Sequence, residues 1–111
     1  MNNNYSVIYS SEARNDIKNV YSYIAFELLT PDTAKNQVNR IRKAVRSLGF
    51  MPSRHPVVDW EPWKSMRMHK IPVDNFVVFY TIDDNAMVVT IIRIFYAGQD
   101  IESIASQIHN D

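Results

Sequence analysis

Residues 76–98, FVVFYTI then DDNA then MVVTIIRIFYAG, decide the fold of this chain. Both apolar halves are dominated by Val, Ile, Phe, Tyr and Thr, which fit a pleated strand. Each half is too short to cross a membrane as a helix. Asp83, Asp84 and Asn85 between them favour a turn, so the pair reads as an antiparallel hairpin. The runs hardly alternate in polarity, which places both strands centrally, with at least one face covered. Arg93 alone interrupts the second run. On a regular strand it shares a side with Val89, Ile91 and Phe95. A charge placed there must reach a partner, an open face or a ligand.

Working outward, MRMHKIPV over 66–73 reads as another strand, with Pro72 marking an edge or a bulge. Asp74 and Asn75 make a tight turn into Phe76. Beyond the hairpin, Asp100 caps a short helix with Ile101, Ile104, Ala105 and Ile108 on one side. Upstream, Tyr5, Val7 and Tyr9 alternate with Ser6 and Ile8 in a short first strand. Ser10 or Ser11 then caps a helix, with Glu12 and Asp16 near its positive end. Its apolar stripe runs Ala13, Ile17, Val20, Tyr21, Ile24, Leu28. Thr30 as N-cap and Pro31 at the first helical position restart the pattern. A second stripe follows at Ala34, Val38, Ile41, Val45 and Leu48, closed by Gly49 as a C-cap. The two helices form a hairpin.

The fold class is therefore α+β in the order β-α-α-β-β-β plus a short C-terminal helix. The helical hairpin packs on one face of a small antiparallel sheet, with the first strand at an edge. Ile17, Ile24, Val38, Ile41, Val45 and Leu48 are expected against Val78, Tyr80, Val88, Ile92 or Ile94. The opposite sheet face is expected to be partly open, a natural place for a ligand or partner. Residues 1–111 make one domain, with flexible ends at 1–4 and about 105–111.

Twelve basic and twelve acidic residues cancel, so overall charge does not point to nucleic acid. There is no cysteine, which excludes thiol catalysis and Cys-ligated zinc. His55, His69 and His109 lie far apart, so no metal site and no cofactor is expected. The polar start MNNNYS lacks an apolar signal core, and a cytoplasmic protein is the expectation. Helix two presents Lys35, Arg40, Arg42, Lys43 and Arg46, which read either as a solvated face or as a surface for an acidic partner. Between Phe50 and Ser65, Pro52, Pro56 and Pro62 break regular structure, and both tryptophans, Trp60 and Trp63, fall in this loop. They cap the core or serve a function.

One group of residues carries possible chemistry. Arg67 and His69, two apart on a strand, share a face, and Lys70 points away. Arg93 lies on the same meander and Tyr96 at its end. Arg54 and Lys70 can hold a phosphate backbone. Arginine can stabilise a developing phosphoryl charge, histidine can move a proton, and tyrosine can stack on a base. Exposed edge polars without function are the plain alternative.

The succession YSVIYSSEARNDI, a helical hairpin, KIPVDNFVVFYTIDD and IIRIFYAGQDI resembles the RelE/ParE superfamily of toxins from bacterial type II toxin–antitoxin pairs, over roughly residues 5–104. The resemblance implies an α+β fold and a cognate antitoxin that wraps and neutralises the toxin. Its first implication is metal-independent cleavage of messenger RNA on the ribosome, as in RelE-like members, and that activity is the expectation. The alternative is poisoning of DNA gyrase without nuclease activity, as in ParE-like members. A non-toxic relative that only binds its antitoxin is a third outcome. For the RelE-like case the resemblance matches Arg93 and Tyr96 to catalytic positions and places Arg67 and His69 in the second-strand motif. The arginine that often follows the aromatic opening the third strand is replaced here by Val77. The antitoxin tail is expected across both helices, with acidic groups on Lys35, Arg42, Lys43 and Arg46.

Overall fold

The computed structural model describes the backbone of residues 4–109 and the side chains of residues 4–105. The order is β1 (Ser6–Tyr9), α1 (Ser11–Ser22), α2 (Pro31–Ser47), β2 (His69–Val73), β3 (Phe76–Asp83), β4 (Val88–Tyr96) and α3 (Ile101–His109). The sheet order is β1-β4-β3-β2. The β2–β3 and β3–β4 pairs are antiparallel, and Pro72 sits on an edge strand where its missing N–H costs no ladder bond. The edge pair β1–β4 is parallel, so the sheet is mixed and not wholly antiparallel. A parallel pair needs a long crossover, which the helices, the loop and the β2–β3 hairpin supply.

Ser10 fastens α1 at its start. Its hydroxyl accepts from the Ala13 amide at 2.9 Å and donates to the Ile92 carbonyl on β4 at 2.8 Å. After Ser22 the helix widens into a π turn over Tyr23–Glu27. Thr30 stands at the N-cap of α2, but its hydroxyl is turned back: amide and hydroxyl both donate to the Ile24 carbonyl, at 3.1 and 3.0 Å. Gly49 is not a left-handed cap. No glycine has a positive φ; Met51 takes that conformation instead, at 46°. Gly49 is where β1 approaches: its carbonyl accepts from the Tyr5 amide at 2.7 Å, and a Cβ there would lie 3.2 Å from the Tyr5 carbonyl oxygen.

The hairpin buries its two stripes on one sheet face. Ile17, Ile24, Val38, Ile41, Val45 and Leu48 share a core with Val78, Tyr80, Val89, Ile91 and Ile94. Val89 and Ile91 replace the expected Val88 and Ile92 because β4 carries a bulge. Tyr80 pairs with Ile91 and Phe79 with Arg93, leaving Ile92 unopposed. The extra residue reverses the alternation, so Phe95 joins the opposite face rather than that of Val89 and Ile91.

The opposite face is not open, contrary to the sequence expectation. Val58, Trp63 and Met68 from the long loop and Ala105 from α3 bury Phe79 and Phe95 there. Trp60 stacks on Trp63 at 5.1 Å, and Trp63 leans on Phe79 at 4.8 Å. Ala105, expected in a loose tail, is thus part of a second core. Of the rest of the expected flexible ends, Asn4 bridges Phe50 and the backbone of 106–109 continues α3, while 1–3 and 110–111 lie outside the described residues.

Candidate functional site

Of the residues singled out for chemistry, Arg93 and Tyr96 line one groove, whereas Arg54, Arg67, His69 and Lys70 lie outside its lining. The Arg93 guanidinium grips the Asp16 carboxylate with both prongs, Nε to Oδ2 at 2.8 Å and Nη2 to Oδ1 at 3.0 Å. The Ile94 amide donates to the same Oδ2 at 2.8 Å. Asp16 is buried, and the Arg93 side chain is 19% exposed. Arg93 also lies over the Phe95 ring, 4.4 Å from its centre. Asp16 therefore serves not as a solvated charge at the helix start but as a buried acceptor that ties α1 to β4. Its spacing of three from Ala13 and four from Val20 puts it on the buried stripe, a signal that pairing-blind reading of the helix passed over.

His69 is buried beneath the Pro-rich loop. Its Nδ1 lies 2.7 Å from the His55 carbonyl and its ring stacks on Tyr80 at 5.2 Å. The Tyr80 hydroxyl donates to the Pro52 carbonyl at 2.6 Å, and burial pushes its pKa up to about 12. The pair is a clamp on the loop. Arg67 does not share a face with His69, because β2 begins only at His69. Arg67 precedes it in a turn, exposed, with φ at 55°. Arg54 donates to the carbonyls of Ser47, Phe50 and Met51 and to the Ser47 hydroxyl, closing the end of α2. Lys70 is exposed on the edge strand. Tyr96 is exposed, with its ring edge-on to Phe76 at 5.9 Å and backed by Gly98.

Two grooves flank α1. The first, about 500 Å³, runs between α1 and α2 over Ile17, Tyr21 and Val38, with Lys18, Lys35 and Arg42 on its walls. Lys43 and Arg46 are exposed farther along α2. Arg42 and Arg46 lie close enough to Tyr9 to draw its pKa down, though burial is stronger and leaves it raised. Arg40 is spent elsewhere: it binds Asp74 at 2.7 Å, and with Gln37 holds that carboxyl below its ordinary range. The second groove, about 770 Å³, lies on the other side of α1, against the end of the sheet. Tyr23, Leu28, Phe76 and Tyr96 form its apolar surface, and Asn19, Thr33 and Asn75 its polar walls. Among the described residues its only charged groups are Asp16 and Arg93, which bind one another. The first groove lies on the helical surface where the sequence places the antitoxin tail; the second was not expected. Among the described residues no three His, Asp or Glu side chains gather as a metal site, and no helix is long and apolar enough to cross a membrane.

The helical hairpin on one face of a four-stranded sheet is a fold that this chain shares with solved RelE- and ParE-type toxins. Among solved structures, the chromosomal ParDE system of P. aeruginosa superposes with a TM-score of 0.69 at 18% identity, over 85% of this chain and 97% of that one. A RelBE toxin–antitoxin complex from Mycobacterium tuberculosis gives 0.60 at 20% identity, over 86% and 94%. A mutant of the E. coli RelE toxin in the free state gives 0.63 at 13% identity, over 96% of each chain. No curated protein sequence matches the chain. The profile of the ParE toxin of the type II toxin–antitoxin system parDE matches residues 7–101. The chain belongs to this family of type II toxin–antitoxin toxins.

Proposed function

We propose that this toxin is neutralised by a cognate antitoxin and arrests growth in the cytoplasm by inhibiting DNA gyrase, without cutting messenger RNA. The observation that carries this reading is the commitment of Arg93 to Asp16 together with the burial of His69. Cleavage of RNA on the ribosome needs an available cation beside a group that can move a proton. Here the best-placed arginine is neutralised and the only strand histidine is a loop clamp. Arg67 and Lys70 stand apart from Tyr96. The profile match supports a toxin of this superfamily, within which both activities occur.

The antitoxin reading rests on the groove between α1 and α2. An apolar floor flanked by Lys18, Lys35 and Arg42, and continued by Lys43 and Arg46, suits a tail with apolar anchors and acidic side chains. A tail that is disordered when free can spread over such a surface as it folds. Inducing the toxin in a bacterial host, with replication and translation followed separately, tests the target. Stalled replication, an SOS response and intact messenger RNA are expected, as is inhibition of purified gyrase. Messenger cleavage at ribosomes with replication unaffected would reverse the assignment to the ribonuclease reading. Absence of any growth effect would leave only antitoxin binding. Charge reversal at Lys43 and Arg46 should weaken antitoxin binding most at low salt.

A further inference from the structure

The groove beside Asp16 and Arg93 differs from the antitoxin groove in charge, and that difference identifies its occupant. We infer that this second groove is the surface through which the toxin grips its target, and that the target presents an uncharged protein segment with aromatic or branched apolar side chains. The inference rests on the gyrase reading and names the surface it would use.

Its size, about 770 Å³, accommodates several side chains. Tyr23 and Leu28 on the hairpin and Tyr96 at the end of β4 line it while remaining 57%, 53% and 52% exposed. Large apolar side chains in a concave setting are the usual anchors of protein interfaces. The walls offer the amides of Asn19 and Asn75 and the hydroxyl of Thr33, which suit the peptide groups of a bound segment.

Charge then decides between a peptide and RNA. Single-stranded nucleic acid also stacks on aromatic rings, but its phosphates require a positively charged track. Asp16 cancels the only cation lining this groove among the described residues. An acidic tail is favoured by the first groove, where Lys18, Lys35 and Arg42 face it, and gains nothing in the second. A neutral protein segment is the occupant that loses least here: it leaves no phosphate or carboxylate without a counter-charge.

The test uses the full-length toxin, purified DNA gyrase and a relaxed plasmid, with toxin concentration varied in a supercoiling assay. The double variant Tyr23→Ser, Leu28→Ser changes two exposed side chains, so its melting temperature should stay within about 3 °C of wild type. Its half-inhibitory concentration should rise at least about thirtyfold, as loss of an interface anchor does. Antitoxin capture should persist. Wild-type inhibition should change by less than about threefold between 50 and 200 mM salt, whereas a phosphate-based contact weakens by orders of magnitude. A folded double variant that inhibits gyrase as wild type does would overturn the inference and spare the gyrase reading. Loss of antitoxin capture with full gyrase inhibition would assign the groove to the antitoxin and also overturn it. A wild-type toxin that cuts messenger RNA and leaves gyrase active would overturn both.

Discussion

On one face of the sheet, Ile17, Val38, Ile41 and Val45 arrive from two helices at regular three- and four-residue steps. On the other, Val58, Trp63 and Met68 come from a loop without repeating structure, and Ala105 from the last helix. The first face is stabilised by many equivalent contacts from rigid elements. The second depends on a few large anchors, chiefly the stacked indoles, to hold a long segment in place. A periodic face spreads the consequence of any one loss. An anchored face concentrates it, because releasing the anchor also frees the loop.

Trp63→Ala should therefore have the largest effect, about 3–5 kcal/mol in urea unfolding, as for other buried aromatic truncations. A loss below about 1 kcal/mol would mean that the loop face stands outside the cooperative unit. Ile41→Ala, on the periodic face, should cost about 2–5 kcal/mol; unchanged stability would refute the packing of α2 on the sheet. Asp16→Ala bridges the comparison, because Asp16 joins α1 to β4 at the end where the two faces meet. It leaves the Arg93 guanidinium and the Ile94 amide without their acceptor. The partial exposure of Arg93 keeps the cost to about 2–3 kcal/mol, below that of a fully buried pair. Hydrogen exchange should show the Ile94 amide losing protection, which an undisturbed β4 would not.

The smallest effect is that of pH on the loop clamp at His55, whose carbonyl meets His69 beside Tyr80 on the hairpin face. Burial first, then Arg54 and His69, hold the His55 pKa below its ordinary 6.5. Its Nε2 is buried without a hydrogen-bond partner among the described residues. As pH falls, the unfolded chain takes up this proton first. The contribution is thus full above about 6.5 and declines as pH drops through the lower folded value. Melting temperature should fall between pH 7.5 and 5.5, and His55→Gln should flatten that slope. An unchanged slope would place His55 in solvent rather than under the loop.

Local chemistry was enough to locate most elements. The Val- and Ile-rich runs, the Asp74–Asn75 turn, Pro72 on an edge and the two helical stripes each depend on neighbours within a few residues. The resemblance in YSVIYSSEARNDI and IIRIFYAGQDI likewise pointed to the toxin family. What tertiary structure decided was the fate of individual side chains. A one-residue bulge at Ile92 changed which β4 residues face the hairpin, and nothing in an unbroken apolar run marks where a ladder slips. The Trp loop closed the face expected to be partly open, because an irregular segment has no period from which its docking can be read. Asp16 and Arg93 lie 77 positions apart. Their pairing took the central arginine out of the expected catalytic group and left a neutral groove beside it. Sequence alone determines what each segment prefers; only the folded chain decides which charges meet and which surfaces remain exposed, since both depend on contacts between residues distant in sequence.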